Sequence, residues 1–174
     1  MNLKGVNVWL RALEPDDLSF VHRIENDERM WVFGNTRTPY SRFVIRQYLE
    51  NSHQDIHTAK QLRLAITHAD SFEAVGLIDL YDYEPVHNRA GIGIVVDEPA
   101  RRGNIGSEAL QILVEYAFSA LGMHQLYAHI DPGNEASVRL FATFGFRECG
   151  RRRDWNLVHG RYRDESIYQL INEH

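Results

Sequence analysis

The stretch Val95-Val96-Asp97-Glu98-Pro99-Ala100-Arg101-Arg102-Gly103-Asn104-Ile105-Gly106-Ser107 decides how the rest of the chain is read. A β-branched run passes through a turn holding two arginines and a glycine, then enters a helical pattern. In that pattern Ile105, Ala109, Ile112, Leu113, Tyr116 and Ala117 share one face, and Gly122 is placed to end the helix. The first N–H groups of a helix have no intrahelical partner and lie at the positive end of its dipole, so such a turn favours an anion such as a pyrophosphate. Gly103 and Gly106 let the backbone come close, and Arg101 or Arg102 can add charge-assisted hydrogen bonds. The same residues also read as a tight strand–helix connection with two solvated arginines.

Two familiar phosphate motifs do not fit. No Gly-Lys-Ser/Thr follows the turn, and Gly91-Ile92-Gly93 lies within a strand instead of after one, which argues against a nucleotide-hydrolysing loop and a dinucleotide fold. The nine histidines form no metal-ligand spacing, and His124 and His129 span a strand boundary, so no metal is expected.

Outward from this turn, strands and helices alternate, which indicates an α/β or α+β fold. Strands are expected at Val6 to Leu13, Leu62 to His68, Ala74 to Tyr83, Ala90 to Val96 and Gln125 to Ile130. A terminal hairpin follows, about Arg147 to Asn156 and Arg161 to Leu170, turning at His159-Gly160. Glu14-Pro15-Asp16-Asp17 opens a first helix carrying Leu18, Val21 and Ile24, and a second carries Phe43, Ile45 and Leu49. Asn134 caps a last helix, and Gly145 ends it. Glycines 91 and 93 in the strand at Ala90 to Val96 mark a place where something comes close to its backbone.

At 174 residues the chain fits one domain, residues 1–174, without linker or repeat. It is 44% hydrophobic and 25% charged, as globular proteins are. A net charge of −5 argues against nucleic acid and anionic membranes as partners. That charge is localised: Asp70, Glu73, Asp79, Asp82 and Glu84 lie between Leu64 and Asn88 without a Lys or Arg, and the remainder is neutral. The single cysteine, Cys149, excludes an internal disulfide and reads as a buried, inert thiol. With no signal-peptide pattern at Met1 to Gly5 and no long apolar run, a cytoplasmic location is expected.

The motif and the order of elements together resemble the GNAT N-acetyltransferase family, in its branch of ribosomal-protein and polyamine acetyltransferases. The family's acetyl-CoA turn, Arg/Gln-x-x-Gly-x-Gly/Ala, is matched at Arg101 and Gly106, with Asn104 in place of the first glycine. Asn tolerates the left-handed backbone better than other non-glycine residues. Asn134-Glu135-Ala136-Ser137 through Gly145-Phe146 resembles the family's Asn-x-x-Ser helix ending in Gly-Phe. The opening Trp9 to Leu18 and the closing Gly160-Arg161-Tyr162-Arg163-Asp164 also resemble this branch.

The resemblance implies a mostly antiparallel sheet of six or seven strands with one splayed pair, about four helices, and direct acetyl transfer from acetyl-CoA. The pantetheine arm is expected along main-chain groups of Ile94, Val95 and Val96, the pyrophosphate on Arg102, Gly103, Asn104, Ile105, Gly106 and Ser107, with Arg101, Asn134 and Ser137 also in contact. Asp79, which interrupts the apolar run Val75 to Tyr81, is the candidate base, because the polyamine enzymes carry an acid at the matching position. Many members place a tyrosine, as general acid for the departing thiolate, where this chain has Phe141, so that role moves to another hydroxyl such as Tyr127 or Tyr81, or to water. Trp31, Tyr81, Asp82 and Glu84 join Asp79 as candidate acceptor contacts, with Phe33 and Tyr40 as further walls. A small-molecule amine is the expected acceptor, a polyamine or diamine such as spermidine first.

Two departures weaken that choice. The loop Gly34 to Arg42 holds two arginines and no acid, and an acid of the polyamine enzymes is Gly91 here. N-terminal acetylation of a ribosomal or other protein is the alternative within the same chemistry, and an acetyl-CoA-binding regulator with little catalysis the alternative outside it. A homodimer or higher homo-oligomer, frequent in the family, is a further expectation.

Overall fold

A computed structural model describes residues 2–34, 36–101 and 103–173. Its strands are β1 (Val8–Ala12), β2 (Leu62–His68), β3 (Ala74–Glu84), β4 (Arg89–Val96), β5 (Gln125–Ile130), β6 (Arg147–Val158) and β7 (Arg161–Ile171). They form one seven-stranded sheet in the order β1-β2-β3-β4-β5-β7-β6. Every pairing is antiparallel except β4 with β5.

The four helices expected from the pattern are α1 (Leu18–Glu25), α3 (Arg42–Glu50), α5 (Ile105–Ser119) and α6 (Glu135–Thr143). Two single turns join them, α2 (Glu28–Trp31) and α4 (Ile56–Ala59). Each begins at an aspartate that supplies the missing acceptor: Asp27 takes the N–H of Arg29, and Asp55 those of His57 and Thr58. Among the described residues no helix is long and apolar enough to cross a membrane.

Strand alternation sorts the helices into two layers. Leu64, Ile66, Ile78, Leu80, Ile92, Leu126 and Ala128 face α5 and α6, burying Ala109, Leu110, Leu113, Ala117 and Phe141. Ala65 and Leu77 face the other way, onto Val21, Ile24, Ile45 and Leu49 of α1 and α3. Asp79 follows Leu77 at the same alternation and so looks toward the α1–α3 layer. A bulge then breaks the phase of β3. Its register shifts between Tyr81 and Glu84, Asp82 takes φ +48°, and Tyr83 is the next residue to enter the α5 layer.

At the far edge, Cys149 on β6 is exposed, which corrects the expectation of a buried thiol. β6 flanks the sheet and points alternate side chains to water, so the residue's apolar character does not bury it.

Candidate active site

The parallel pairing of β4 with β5 runs only through Arg89–Gln125, Ala90–Leu126 and Gly91–Tyr127. Beyond Gly91 the strands diverge and open a wedge in the sheet. One part of it is a cleft of about 540 Å³, lined by Ile94, Val95, Val96, Arg101, Gly103, Asn104, Gly106, Ser107, Asn134 and Ser137. The adjoining part, about 270 Å³, is lined by β4 from Ile92 to Val95, β5 from Ala128 to Ile130, the following Asp131, Phe141, Trp31 and Phe33, with Glu25 and Arg63.

Ten expected cofactor contacts thus surround one cleft. Ile105 is placed differently: its side chain is buried in the core, so only its main chain is at the helix start. Arg102 lies outside the described residues.

The turn is built to present backbone. Gly103 has φ +113° and Asn104 φ +63°, so two successive residues take the left-handed region and turn the chain into α5. Arg101 Nε donates to the Val96 carbonyl at 2.9 Å, bracing the turn on the strand it leaves. A Cβ built on Gly106 would meet no protein atom nearer than 3.5 Å, so the chain's own packing does not require glycine there. The open space faces the cleft, which fits a ligand that comes close to the first turn of α5. Asn134 Oδ1 accepts from Ser137 N at 3.3 Å and caps α6, leaving Nδ2 as the donor it can offer a ligand.

The glycines of β4 have a specific cause. A Cβ on Gly91 would overlap the Tyr81 ring, and one on Gly93 would lie 3.1 Å from Asp79 Oδ1. Tyr81 and Asp79 therefore reach across β4 over positions that have no side chain. Tyr81 fills the place where an acid at position 91 would stand.

Asp79 accepts from Gln61 Nε2 at 3.3 Å and is the register partner of Arg63 on β2. Burial pushes its carboxyl above the usual carboxylate range, against the opposing pull of Arg63 and Gln61. It does not line either part of the wedge; Gly93, which it lies against, does.

Tyr127 stacks edge-on with Tyr81, ring centres 6.2 Å apart, and neither lines the wedge. Burial raises both phenols above their ordinary value, and Asp82 raises them further. The structure also keeps Asp82 and Glu84 away from the cavity. Asp82 is the exposed extra residue of the bulge, and Glu84 pairs with Arg89 and accepts the Val86 N–H in the following turn. Trp31 and Phe33 do wall the cavity, whereas Tyr40 sits half-exposed outside it.

Sequence reasoning missed four polar residues that line the acceptor end: Glu25, Arg63, His129 and Asp131. Glu25 is ion-paired to Arg63, and Arg63 Nε is a buried donor without a partner among the described residues. Asp131 is held by Arg163 at 2.7 Å and accepts the Gly133 N–H at 2.7 Å. His129 Nδ1 lies 3.4 Å from Glu165 Oε1, which also accepts from Arg152 at 2.7 Å. A signal existed only for His129, a polar residue between Ala128 and Ile130 on a buried strand. Among the described residues no cluster of His, Cys, Asp and Glu is arranged to hold a metal ion.

A splayed strand pair above a backbone-lined helix start has counterparts in known proteins. Spermidine N(1)-acetyltransferase of Escherichia coli is 29% identical over 171 residues, spanning 97% of this chain and 87% of the relative. The structure of spermidine N-acetyltransferase from Vibrio cholerae in complex with CoA and spermine superposes with a TM-score of 0.86 at 25% identity, covering 95% of each chain. Ribosomal-protein-S5-alanine acetyltransferase from Vibrio fischeri has the same fold, with a TM-score of 0.85 at 16% identity over 99% of this chain and 97% of that one. The model of the acetyltransferase (GNAT) domain matches residues 7–147, so with its wedge, turn and sheet order the chain belongs to the GNAT acetyltransferase family.

Proposed function

We propose that this protein moves the acetyl group of acetyl-CoA directly to a primary amine, with a small polyamine or diamine such as spermidine as acceptor. The observation that carries this reading is a single cleft that runs from the start of α5, along the unpaired edge of β4, to a cavity bearing Glu25 and backed by Asp79. In it the first N–H groups of α5 receive the pyrophosphate, Asn134 Nδ2 and the edge of β4 receive the pantetheine, and the acetyl carbon arrives between β4 and β5. An N–H of β4 freed by the splay polarises the acetyl oxygen, where negative charge develops. At the far side the Glu25 carboxylate, though paired with Arg63, offers oxygen acceptors to an ammonium.

Tyr127 serves as packing for Tyr81 in this reading, and CoA thiolate leaves without a side-chain acid, since Phe141 lines the cavity there. The whole chain, residues 1–174, acts as one catalytic unit. The exposed Cys149 thiol suits the reducing cytoplasm. The exposed Trp155, Leu157 and Tyr162 on the terminal hairpin suit a homo-oligomer.

A second reading is favoured by the arginines around the acids, Arg63, Arg152 and Arg163. They offset the acidic field, and an α-amino group, with a reference pKa of about 8 against about 10.4 for an alkylamine, needs less help to deprotonate. N-terminal acetylation of a ribosomal or other protein is therefore the competing activity. Thiol release measured against polyamines, diamines, amino acids and peptides separates the two. Release with spermidine and related amines is the expected result, and release with peptides alone would overturn it.

A further inference from the structure

The acceptor arrives as an ammonium and must lose a proton before it can attack, so some group facing the cavity has to take that proton. Four titratable side chains line the acceptor end among the described residues. Glu25 and Arg63 are committed to each other, and Asp131 is committed to the Arg163 guanidinium and a backbone N–H. Asp79 lies behind Gly93 and bonds Gln61. His129 is left, with Nδ1 3.4 Å from both Glu165 Oε1 and Arg152 Nη1; in the tautomer whose Nδ1–H is turned to Glu165, Nε2 is the nitrogen available to the cavity. Imidazole is also the one side chain whose ordinary titration falls near neutral pH.

We propose that His129 is the catalytic base and that Glu165 is its positioning residue, an assignment that rests on the amine-acetyltransferase reading above. Neutral His129, its Nδ1–H directed to Glu165, takes one proton from the acceptor ammonium at Nε2. The freed nitrogen bonds to the acetyl carbon while the C–S bond breaks and its electron pair leaves on sulfur. The second proton lost by nitrogen goes to the thiolate, through water where no side chain reaches it, and the imidazolium returns its proton to solvent. Glu165 on β7 orients the ring and supports its charged form. Arg152 on β6, 3.4 Å from Nδ1, opposes that charge, and Tyr127 packs on the ring edge-on at 5.5 Å. Across the cavity, Glu25 on α1 and Arg63 on β2 face it as a neutralising pair.

The test is kcat and kcat/KM by thiol release across about pH 5.5 to 9, with the amine that the wild-type chain acetylates fastest. His129→Gln is expected to lower kcat about 100-fold and to remove the acid limb of the profile, with the KM for acetyl-CoA unchanged. Glu165→Gln removes a charge that favours imidazolium and moves the acid limb to lower pH; Arg152→Gln removes one that disfavours it and moves the limb to higher pH. These opposite shifts decide the matter even if His129→Gln folds poorly, because a merely structural cluster would not produce them.

A His129→Gln enzyme with wild-type kcat and limb, or shifts of one sign in the other two variants, overturns the assignment alone. Loss of the limb in Asp79→Asn but not in His129→Gln would give the base to Asp79. A wild-type chain that releases thiol with no amine overturns the acceptor reading and this assignment with it.

Discussion

Phe141 stands where the family resemblance places a tyrosine, and it is 3% exposed, packed edge-on against Phe146 and lining the acceptor cavity. A phenyl ring cannot protonate a thiolate. Because CoA thiolate is a tolerable leaving group near neutral pH, the lack of that acid is expected to slow turnover without forbidding it. Phe141→Tyr is expected to raise kcat about 100-fold, the lower end of what a positioned acid contributes, as measured by thiol release at saturating acetyl-CoA. An unchanged kcat would mean that thiolate departure is not limiting. Gly91 makes the opposite case, a residue defined by what it lacks. Gly91→Ala is expected to cost about 1–3 kcal/mol by displacing the Tyr81 ring, measured by denaturant unfolding. The cost should shrink in a Tyr81→Ala background, since the two positions share one volume.

The entry to α1 is held by the short element Glu14 to Asp17, legible as a helix start from its proline and acids, with a partner, Arg11, that only the structure supplies. Arg11 forms two hydrogen bonds of 2.8 Å to Asp17, and Asp17 also accepts the Glu14 N–H at 2.8 Å. Burial pushes the Asp17 carboxyl up, but these bonds outweigh it and hold it below the usual carboxylate range. A carboxyl depressed on folding contributes stability that is present above its unfolded pKa of about 3.9 and is lost as pH falls through its folded value. Asp17→Asn is therefore expected to destabilise the chain by about 1–3 kcal/mol at neutral pH, and the gap from wild type should close below about pH 4 in acid unfolding curves. The larger elements were legible for a similar reason, since local pattern specifies them: β2 and β5 fall on the residues expected, and Asn134 and Asn104 take the capping and left-handed roles their chemistry suits. What stayed hidden is relational. Asp82 and Glu84 look equivalent to Asp79 in the chain, yet Asp82 is the exposed extra residue of a bulge that no residue there announces, and Glu84 lies beyond it, paired with Arg89. His129, Arg152 and Glu165 meet because β7 lies between β5 and β6, an order that no local spacing encodes.

At the scale of the molecule, the wedge that makes the site also weakens the fold across its middle. The sheet's two halves, β1 to β4 and β5 to β7, are joined by only three register pairs, and the rest of the seam is the cleft. The layer of α5 and α6 spans it from one side, burying Leu110, Leu113 and Phe141 against strands of both halves. In the proposed seating CoA lies along the seam, against β4 and the start of α5 in one half and Asn134 at the start of α6 in the other, so its binding free energy is expected to act on the join itself. At about 100 times its Kd, a ligand of the native state adds about 2.7 kcal/mol. With roughly 2–4 °C per kcal/mol for a chain of this length, Tm is expected to rise by about 5–10 °C on addition of CoA. Amide exchange should slow most in Ile92 to Val96 and in the first turn of α5, where freed N–H groups gain partners, and little in β1. A Tm that CoA does not move, or protection confined to the acceptor side around Trp31, would mean that the wedge is not where CoA binds.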